Sequence, residues 1–165
     1  CHGYEYRNQN TAIIANSSKA FHLASLVSNL TQQVTLLTNG KAEFEPEQLE
    51  KLEKHAIKII ETKINEVIHK DGHLQKIIFD DQTQMSFDVA YAALPFTQHS
   101  SIPEDLGCEL TEHGFIKVDH MQKTTVEGIF ACGDNSAAMR SVANAVYTGN
   151  LTGAIANALL TTENF

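Results

Sequence analysis

Residues 11–60 alternate between short apolar runs and amphipathic stretches, and this alternation constrains the fold more than any other feature. Strands are predicted at Ala12–Ala15, Val34–Thr38 and Ile57–Ile60. One helix lies between the first two strands and ends near Asn29, and a second begins at Pro46, whose missing N–H is tolerated in a first turn. Because strand–helix–strand crossovers within one sheet are right-handed, the three strands are predicted to be parallel.

The pattern then changes to short strands separated by turn residues. The predicted strands are Ile64–His69, Leu74–Phe79, Gln84–Asp88 and Val89–Leu94. Pro95 ends the last of them. Turn pairs such as Asp71-Gly72 favour hairpins. The first three of these strands are therefore predicted to form an antiparallel meander, and the chain belongs to the α/β class.

The last third of the chain predicts two strands and one long helix. The strands are expected at Phe115–Val118 and Gly128–Cys132, and the helix at about Ser141–Leu160. One face of this helix is rich in small residues, including Gly149 and Gly153. Another element is therefore expected to pack very close to that face.

Composition excludes several classes of protein. Twelve basic and twenty acidic residues give a net charge of −8, which argues against a nucleic-acid partner. There is no apolar run of membrane-spanning length and no signal peptide pattern, so no membrane association is expected. Three widely spaced cysteines do not form a disulfide framework, which favours a reducing cytoplasm. The histidines lack ligand spacing, so no metal site is expected.

One stretch near the C-terminus resembles a known family motif. Residues 126–134 read VEGIFACGD and follow Thr125. This run resembles the C-terminal flavin motif of thioredoxin-reductase-like flavoproteins, which implies that the protein binds FAD. In that motif Gly133 lets the backbone approach the ligand, and Asp134 accepts hydrogen bonds from sugar-alcohol hydroxyls.

The resemblance continues into the long helix. Arg140 stands at the family's spacing and is expected to help hold FAD, together with Ser141 and Val142 at the start of the helix. A helix N-terminus carries about half a positive charge. Aimed at the flavin ring, this end of the helix would stabilise the anion formed on reduction.

The N-terminal residues resemble half of a redox motif. Cys1-His2-Gly3-Tyr4-Glu5 is similar to the second half of a Cys-x-x-Cys pair, in the form found in dithiol oxidases that close disulfides in natural products. The resemblance implies that Cys1 forms the thiolate contact with the flavin. Histidine titrates near neutrality, so His2 is the expected proton partner of that thiol.

The family resemblance covers essentially the whole chain in order. It implies a Rossmann-like, three-layer pyridine-nucleotide domain over residues 1–95 and the returning part of a FAD domain over residues 96–165. The first half of the FAD domain, with the first motif cysteine, would precede Cys1. The chain is therefore expected to be a fragment.

Three departures from the family fall in the nucleotide site. The loop Gly-x-Gly-x-x-Ala is replaced here by residues 15–20, ANSSKA, so that Ala15 and Ser17 stand where glycines are expected. Ser17-Ser18 is interpreted instead as a plain cap for the first helix. Thr38–Lys41 lacks the acid or arginine that would hold an NAD ribose or an NADP phosphate. Leu94-Pro95 replaces a family glycine. Binding of NADPH or NADH is therefore expected to be lost or weakened.

Three functions stay open at this point. The first is an FAD-dependent disulfide reductase that uses NADPH, the second a dithiol oxidase that uses oxygen, and the third a non-catalytic scaffold. The resemblance implies a dithiol or disulfide substrate, either a thioredoxin-like protein or a small molecule, and a possible homodimer. The chain alone is expected to be inactive.

Overall fold

The computed structural model describes residues 3–165, which fall into two compact units that divide after Pro95. The first unit contains seven strands and two helices. The strands are β1 Thr11–Ile14, β2 Val34–Leu37, β3 Lys58–Ile60, β4 Ile64–Lys70, β5 His73–Phe79, β6 Gln84–Met85 and β7 Val89–Ala92. The helices are α1 Ser17–Val27 and α2 Pro46–Lys54.

Four strands of the first unit form a parallel sheet in the order β3-β2-β1-β7. Thr11 of β1 pairs with Val34 of β2 on one side and with Val89 of β7 on the other. The predicted strand–helix alternation and the parallel pairing are both confirmed. The carboxyl ends of β1 and β2 consequently meet at one edge of the sheet.

The side chains of β1 and β2 alternate between two hydrophobic cores, one on each face of this sheet. Ile13 and Leu36 pack against α1 and α2, with Ala24 and Leu52 fully or almost fully buried. Both helices lie on the same face, as right-handed crossovers require.

The opposite face of the parallel sheet is covered by the meander. Ala12 and Leu37 pack there against Ile77, Phe79 and Phe87. The antiparallel sheet has the order β4-β5-β6, so the meander is confirmed. Helices, parallel sheet and antiparallel sheet form the three predicted layers.

The second unit, Phe96–Phe165, contains α3 Ile102–Asp105, a 3-10 turn at Gly133–Asn135 and the long helix α4, Val142–Asn164. The prediction of strands at Phe115–Val118 and Gly128–Cys132 is wrong, because neither segment forms a regular strand. Each takes part only in isolated bridges, namely Leu110 with Ile116, Val118 with Thr124 and Lys123 with Phe130. Within the described residues, neither segment has a neighbouring strand with which it could form more than an isolated bridge.

Most of α4 lies open to solvent although it is rich in apolar residues. Thr148 is its single buried residue among those described. Val142, Val146 and Leu160 are all more than half exposed, and a Cβ added at Gly149 or Gly153 would meet no described atom within 4 Å. Within residues 3–165, no helix combines the length and apolar character needed to cross a membrane.

Candidate functional site

The turn between β1 and α1 keeps a glycine-like backbone without a glycine. Ser17, which stands at the second glycine position of the expected nucleotide loop, has a φ of +56°. Left-handed backbone costs an L-residue about 1–2 kcal/mol, and glycine avoids this cost. Ala15 is buried at the end of β1, whereas Ser18 is exposed. A serine therefore adopts a left-handed backbone conformation at a position where the family has glycine.

The cap of α1 differs from the prediction. The Ser17-Ser18 pair was expected to cap this helix, but both residues already belong to it. Asn16 is the N-cap, and its Oδ1 accepts the N–H of Ser17 at 2.8 Å. The correction follows from the extended backbone of Asn16, which is the conformation an N-cap residue needs.

The second nucleotide-recognition segment forms a tight turn at the end of β2. Asn39 and Gly40 have φ values of +54° and +137°, and the Thr38 hydroxyl donates to the carbonyl of Gly40 at 2.6 Å. The Thr38 hydroxyl therefore bonds within the turn and also reaches the carbonyl of Ile60 at 3.2 Å, whereas the Asn39 amide oxygen accepts the N–H of Ile64 at 2.8 Å.

The motif centred on Gly133 is tied directly to α4. Gly133 has a φ of +79°. A Cβ there would lie 3.7 Å from the Cβ of Ala145, an ordinary contact, so backbone conformation rather than crowding favours glycine. The N–H of Gly133 donates to Oγ1 of Thr148 at 3.0 Å, and that hydroxyl donates in turn to the carbonyl of Asn144 at 2.8 Å.

Thr148 is a site residue to which the sequence assigned no role, although Thr148-Gly149 continues the family pattern. Its side chain is buried, and it fixes the register between the Gly133 turn and the helix. The sequence offered no signal for this role, because Thr152, Thr161 and Thr162 of the same helix make the same hydroxyl bond to the preceding turn. Such a hydroxyl returns a hydrogen bond to the preceding turn and leaves a lone pair for a neighbour.

The predicted flavin-contacting residues cluster around the start of α4 and the Gly133 turn. Asp134 is exposed, and no described residue hydrogen-bonds to its carboxylate. The Arg140 guanidinium lies 4.5 Å from the ring centroid of Phe96. Ser141 caps the helix by accepting the N–H of Asn144 at 3.2 Å, and Val142 is 81% exposed.

The segment before the motif is held by an aspartate turn. Oδ1 of Asp119 accepts the N–H groups of Met121 and Lys123 at 2.8 and 2.9 Å. The hydrogen bond from the Lys123 N–H is the largest effect on the pKa of Asp119 and lowers it, and the bond from Met121 lowers it further. Desolvation raises the pKa, but the net shift is downward. Thr125, the motif threonine, accepts the N–H of Glu109 at 2.9 Å.

The donors and acceptors around Gly133 fit the group that the motif implies. The Ser141 hydroxyl accepts the N–H of Asn144, and the Ser141 carbonyl accepts the N–H of Ala145. The N–H groups of Val142 and Ala143, in the first turn, have no intrahelical partner. These groups suit an electron-rich ring atom, and the Asp134 carboxylate suits the hydroxyls of a sugar alcohol. FAD carries both kinds of group, so the residues present fit its binding.

The remaining candidate residues are the cysteines, His2 and the possible metal ligands. The predicted redox residues Cys1 and His2 lie outside the described residues. Of the described cysteines, Cys108 is buried and Cys132 is half-buried, and both are free thiols. No group of three or more His, Cys, Asp or Glu side chains within residues 3–165 is placed to hold a metal ion.

Comparisons with known proteins agree with this architecture. The chain is 31% identical to thioredoxin reductase tcpT of Claviceps purpurea over 97% of its own length and 52% of that protein. It is 29% identical to thioredoxin reductase aclD of Aspergillus oryzae over 92% of its own length and 51% of that protein. The crystal structure of the putative thioredoxin reductase TrxB from Bacillus anthracis superposes with a TM-score of 0.87 at 25% identity, covering 100% of this chain and 56% of that one.

The chain thus spans about half the length of the curated relatives it matches. Residues 4–149 match the model of a single family, and this range includes the β1–α1 turn, the Gly133 motif and the start of α4. The chain belongs to the pyridine nucleotide-disulphide oxidoreductase family.

Proposed function

We propose that this chain is the nucleotide-domain and returning flavin-domain part of an FAD-dependent, thioredoxin-reductase-like disulfide oxidoreductase. The observation that carries the proposal is the Gly133 turn bonded to Thr148 beside the exposed carboxylate of Asp134 and the open start of α4. This arrangement supplies an acceptor for hydroxyls and donors for an electron-rich ring. The relatives named thioredoxin reductases support the same class of reaction.

Each proposed residue has a defined task. Asp134 and Arg140 hold FAD, and Ser141 fixes the helix start so that the N–H groups of Val142 and Ala143 face the ligand. FAD, when bound, supplies the two-electron redox chemistry. Cys1 is the second thiol of the redox pair, and His2 takes or holds its proton, a role for which imidazole is suited near neutral pH.

The exposed apolar surface of α4 supports a division of the flavin site between this chain and a further segment. A helix with apolar residues on all sides is normally covered by other elements. Because half the relatives' length lies outside this chain, we propose that the covering segment also supplies the first motif cysteine and the rest of the flavin site.

The 165-residue chain alone is then expected to be inactive. Purified chain mixed with FAD should lose the flavin on gel filtration, whereas full-length protein should retain it. Stoichiometric flavin on the isolated chain would contradict the division of the site.

A second candidate, an NADPH-independent dithiol oxidase, is favoured by the β1–α1 turn. Ser17 places a side chain where a phosphate would approach, and Asn16 already bonds the N–H at that position. A dithiol would become a disulfide, and its two electrons and two protons would pass to oxygen to give hydrogen peroxide. The substrate is either a thioredoxin-like protein or a small molecule.

One experiment separates the candidates in full-length protein. The flavin absorbance is recorded under anaerobic conditions before and after addition of NADPH, NADH or a dithiol. Bleaching by NADPH supports the reductase. Bleaching by the dithiol alone, with peroxide formed on admission of air, supports the oxidase. A full-length protein without flavin would support the non-catalytic scaffold instead.

A further inference from the structure

The side chain of Asn16 connects two loops at the carboxyl edge of the parallel sheet. Its Nδ2 donates to the carbonyl of Lys41 at 2.8 Å. Its Oδ1 accepts the N–H of Ser17 at 2.8 Å and that of Glu43 at 3.0 Å. Because those backbone N–H groups can only donate and that carbonyl can only accept, the network fixes the orientation of the amide. The β1–α1 turn is thereby fastened to residues 38–45, here called the β2–α2 loop.

Two further side chains hold the β2–α2 loop from the other side. Oε1 of Glu61 accepts the N–H of Ala42 at 2.6 Å. Oδ1 of Asn39, within the loop, accepts the N–H of Ile64 at 2.8 Å. The loop is therefore anchored to the β1–α1 turn, to Glu61 just after β3 and to Ile64 at the start of β4.

The anchored loop lies where an open parallel sheet takes its ligand. Ligands of such sheets bind outside the carboxyl ends of the strands, and a dinucleotide pyrophosphate sits on the N–H groups at the start of the first helix. Here the Asn16 amide oxygen already accepts the first of those groups, from Ser17. The oxygen occupies the role that a phosphate oxygen would have.

We propose that Asn16 is the residue that selects the electron donor, because it closes the sheet edge to nicotinamide dinucleotides. The proposal rests on the proposed flavoprotein function. Asn16 is a specificity-determining residue and touches no reacting atom. A pyrophosphate that takes the Ser17 N–H would have to displace Oδ1 of Asn16, and the same side chain also holds Lys41 and Glu43 of the β2–α2 loop.

The test uses full-length holoprotein carrying Asn16→Gly, which removes the three hydrogen bonds of the Asn16 side chain. NADPH and NADH binding is measured by equilibrium dialysis, so the readout does not depend on turnover. The variant should bind at least one dinucleotide about tenfold more tightly than wild type, the change expected when hydrogen bonds that hold the loop closed are lost. Bleaching of the flavin by dithiol should stay unchanged.

The matched control is Asn29→Gly, since Asn29 lies just beyond α1 and, within residues 3–165, its side chain bonds only to carbonyls of that helix. It should bind dinucleotides as wild type does. If circular dichroism shows that Asn16→Gly does not fold, Asn16→Ala takes its place with the same expectation.

Two results overturn the proposal. One is dinucleotide binding by wild type as tight as by the folded variant, and the other is no gain in binding by either folded Asn16 variant. Absence of flavin from wild type would instead contradict the proposed function, and the dialysis result would still decide the role of Asn16.

Discussion

At the scale of one residue, Ser17 carries a side chain in a conformation that favours glycine. The backbone there is left-handed, with a φ of +56°, although the residue carries a Cβ. The sequence showed that the glycine is replaced but did not predict the left-handed conformation of Ser17. Backbone dihedrals are set by the strand and helix on either side, which a local pattern does not describe.

Ser17→Gly should therefore stabilise the protein by about 1 kcal/mol, because glycine adopts this conformation without steric cost. Ser25→Gly is the matched control, since Ser25 is exposed inside right-handed α1 and its replacement should destabilise by about 0.5 kcal/mol. Urea unfolding measures both. Destabilisation by Ser17→Gly would contradict the assigned strain.

Asp119 makes stability depend on pH. Hydrogen bonds from Lys123 and Met121 lower its pKa, so the native state favours the carboxylate. The resulting stability is present above the unfolded pKa of about 3.9 and is lost as pH falls through the lower native pKa. Asp119→Asn keeps an acceptor oxygen but removes the titration.

The difference in unfolding free energy between wild type and Asp119→Asn should thus shrink as pH falls from about 5 towards 2. Carbon-detected NMR titration gives the pKa directly. A native pKa at or above the ordinary aspartate value would contradict this account.

At the scale of elements, α4 is joined to the Gly133 turn through the Thr148 hydroxyl. Thr148→Val preserves shape but leaves the buried N–H of Gly133 without an acceptor, at an expected cost of about 1–3 kcal/mol. Thr148→Ser keeps the hydroxyl and should cost about 1 kcal/mol or less, for one lost methyl group. Equal unfolding free energies for the two variants, measured in urea, would show that the hydrogen bond contributes nothing.

Elements of the first unit were the easiest to predict. Apolar runs and helical spacing identified β1, β2, α1 and α2, because each buries one side against a common core. The bridges around Val118 and Phe130 were predicted as strands, since their residues suit strands but a ladder also needs a neighbour. The Asn16 contacts with Lys41 and Glu43 join residues about 25 positions apart, so no local pattern reveals them.

For the whole molecule, the candidate flavin site was predicted from a family motif, whereas the elements of the first unit were predicted from periodicity. The structure bonds the N–H of Gly133 to Thr148 of α4 and caps that helix with Ser141, and flavin binding there stays a prediction. Apolar residues of α4 such as Val142 and Val146 are exposed, and we propose that a further segment covers them and completes the flavin site. Flavin binding by the full-length protein is therefore the central prediction.

Flavin content of purified full-length protein tests this claim most directly, with Asp134→Ala as the disabling variant and Glu163→Ala, at the far end of α4, as control. Wild type and the control should carry one FAD per chain. Asp134→Ala should bind FAD roughly 10- to 100-fold more weakly, because hydrogen bonds to a charged group are lost. Equal flavin content in Asp134→Ala and wild type, or none in wild type, would contradict the account.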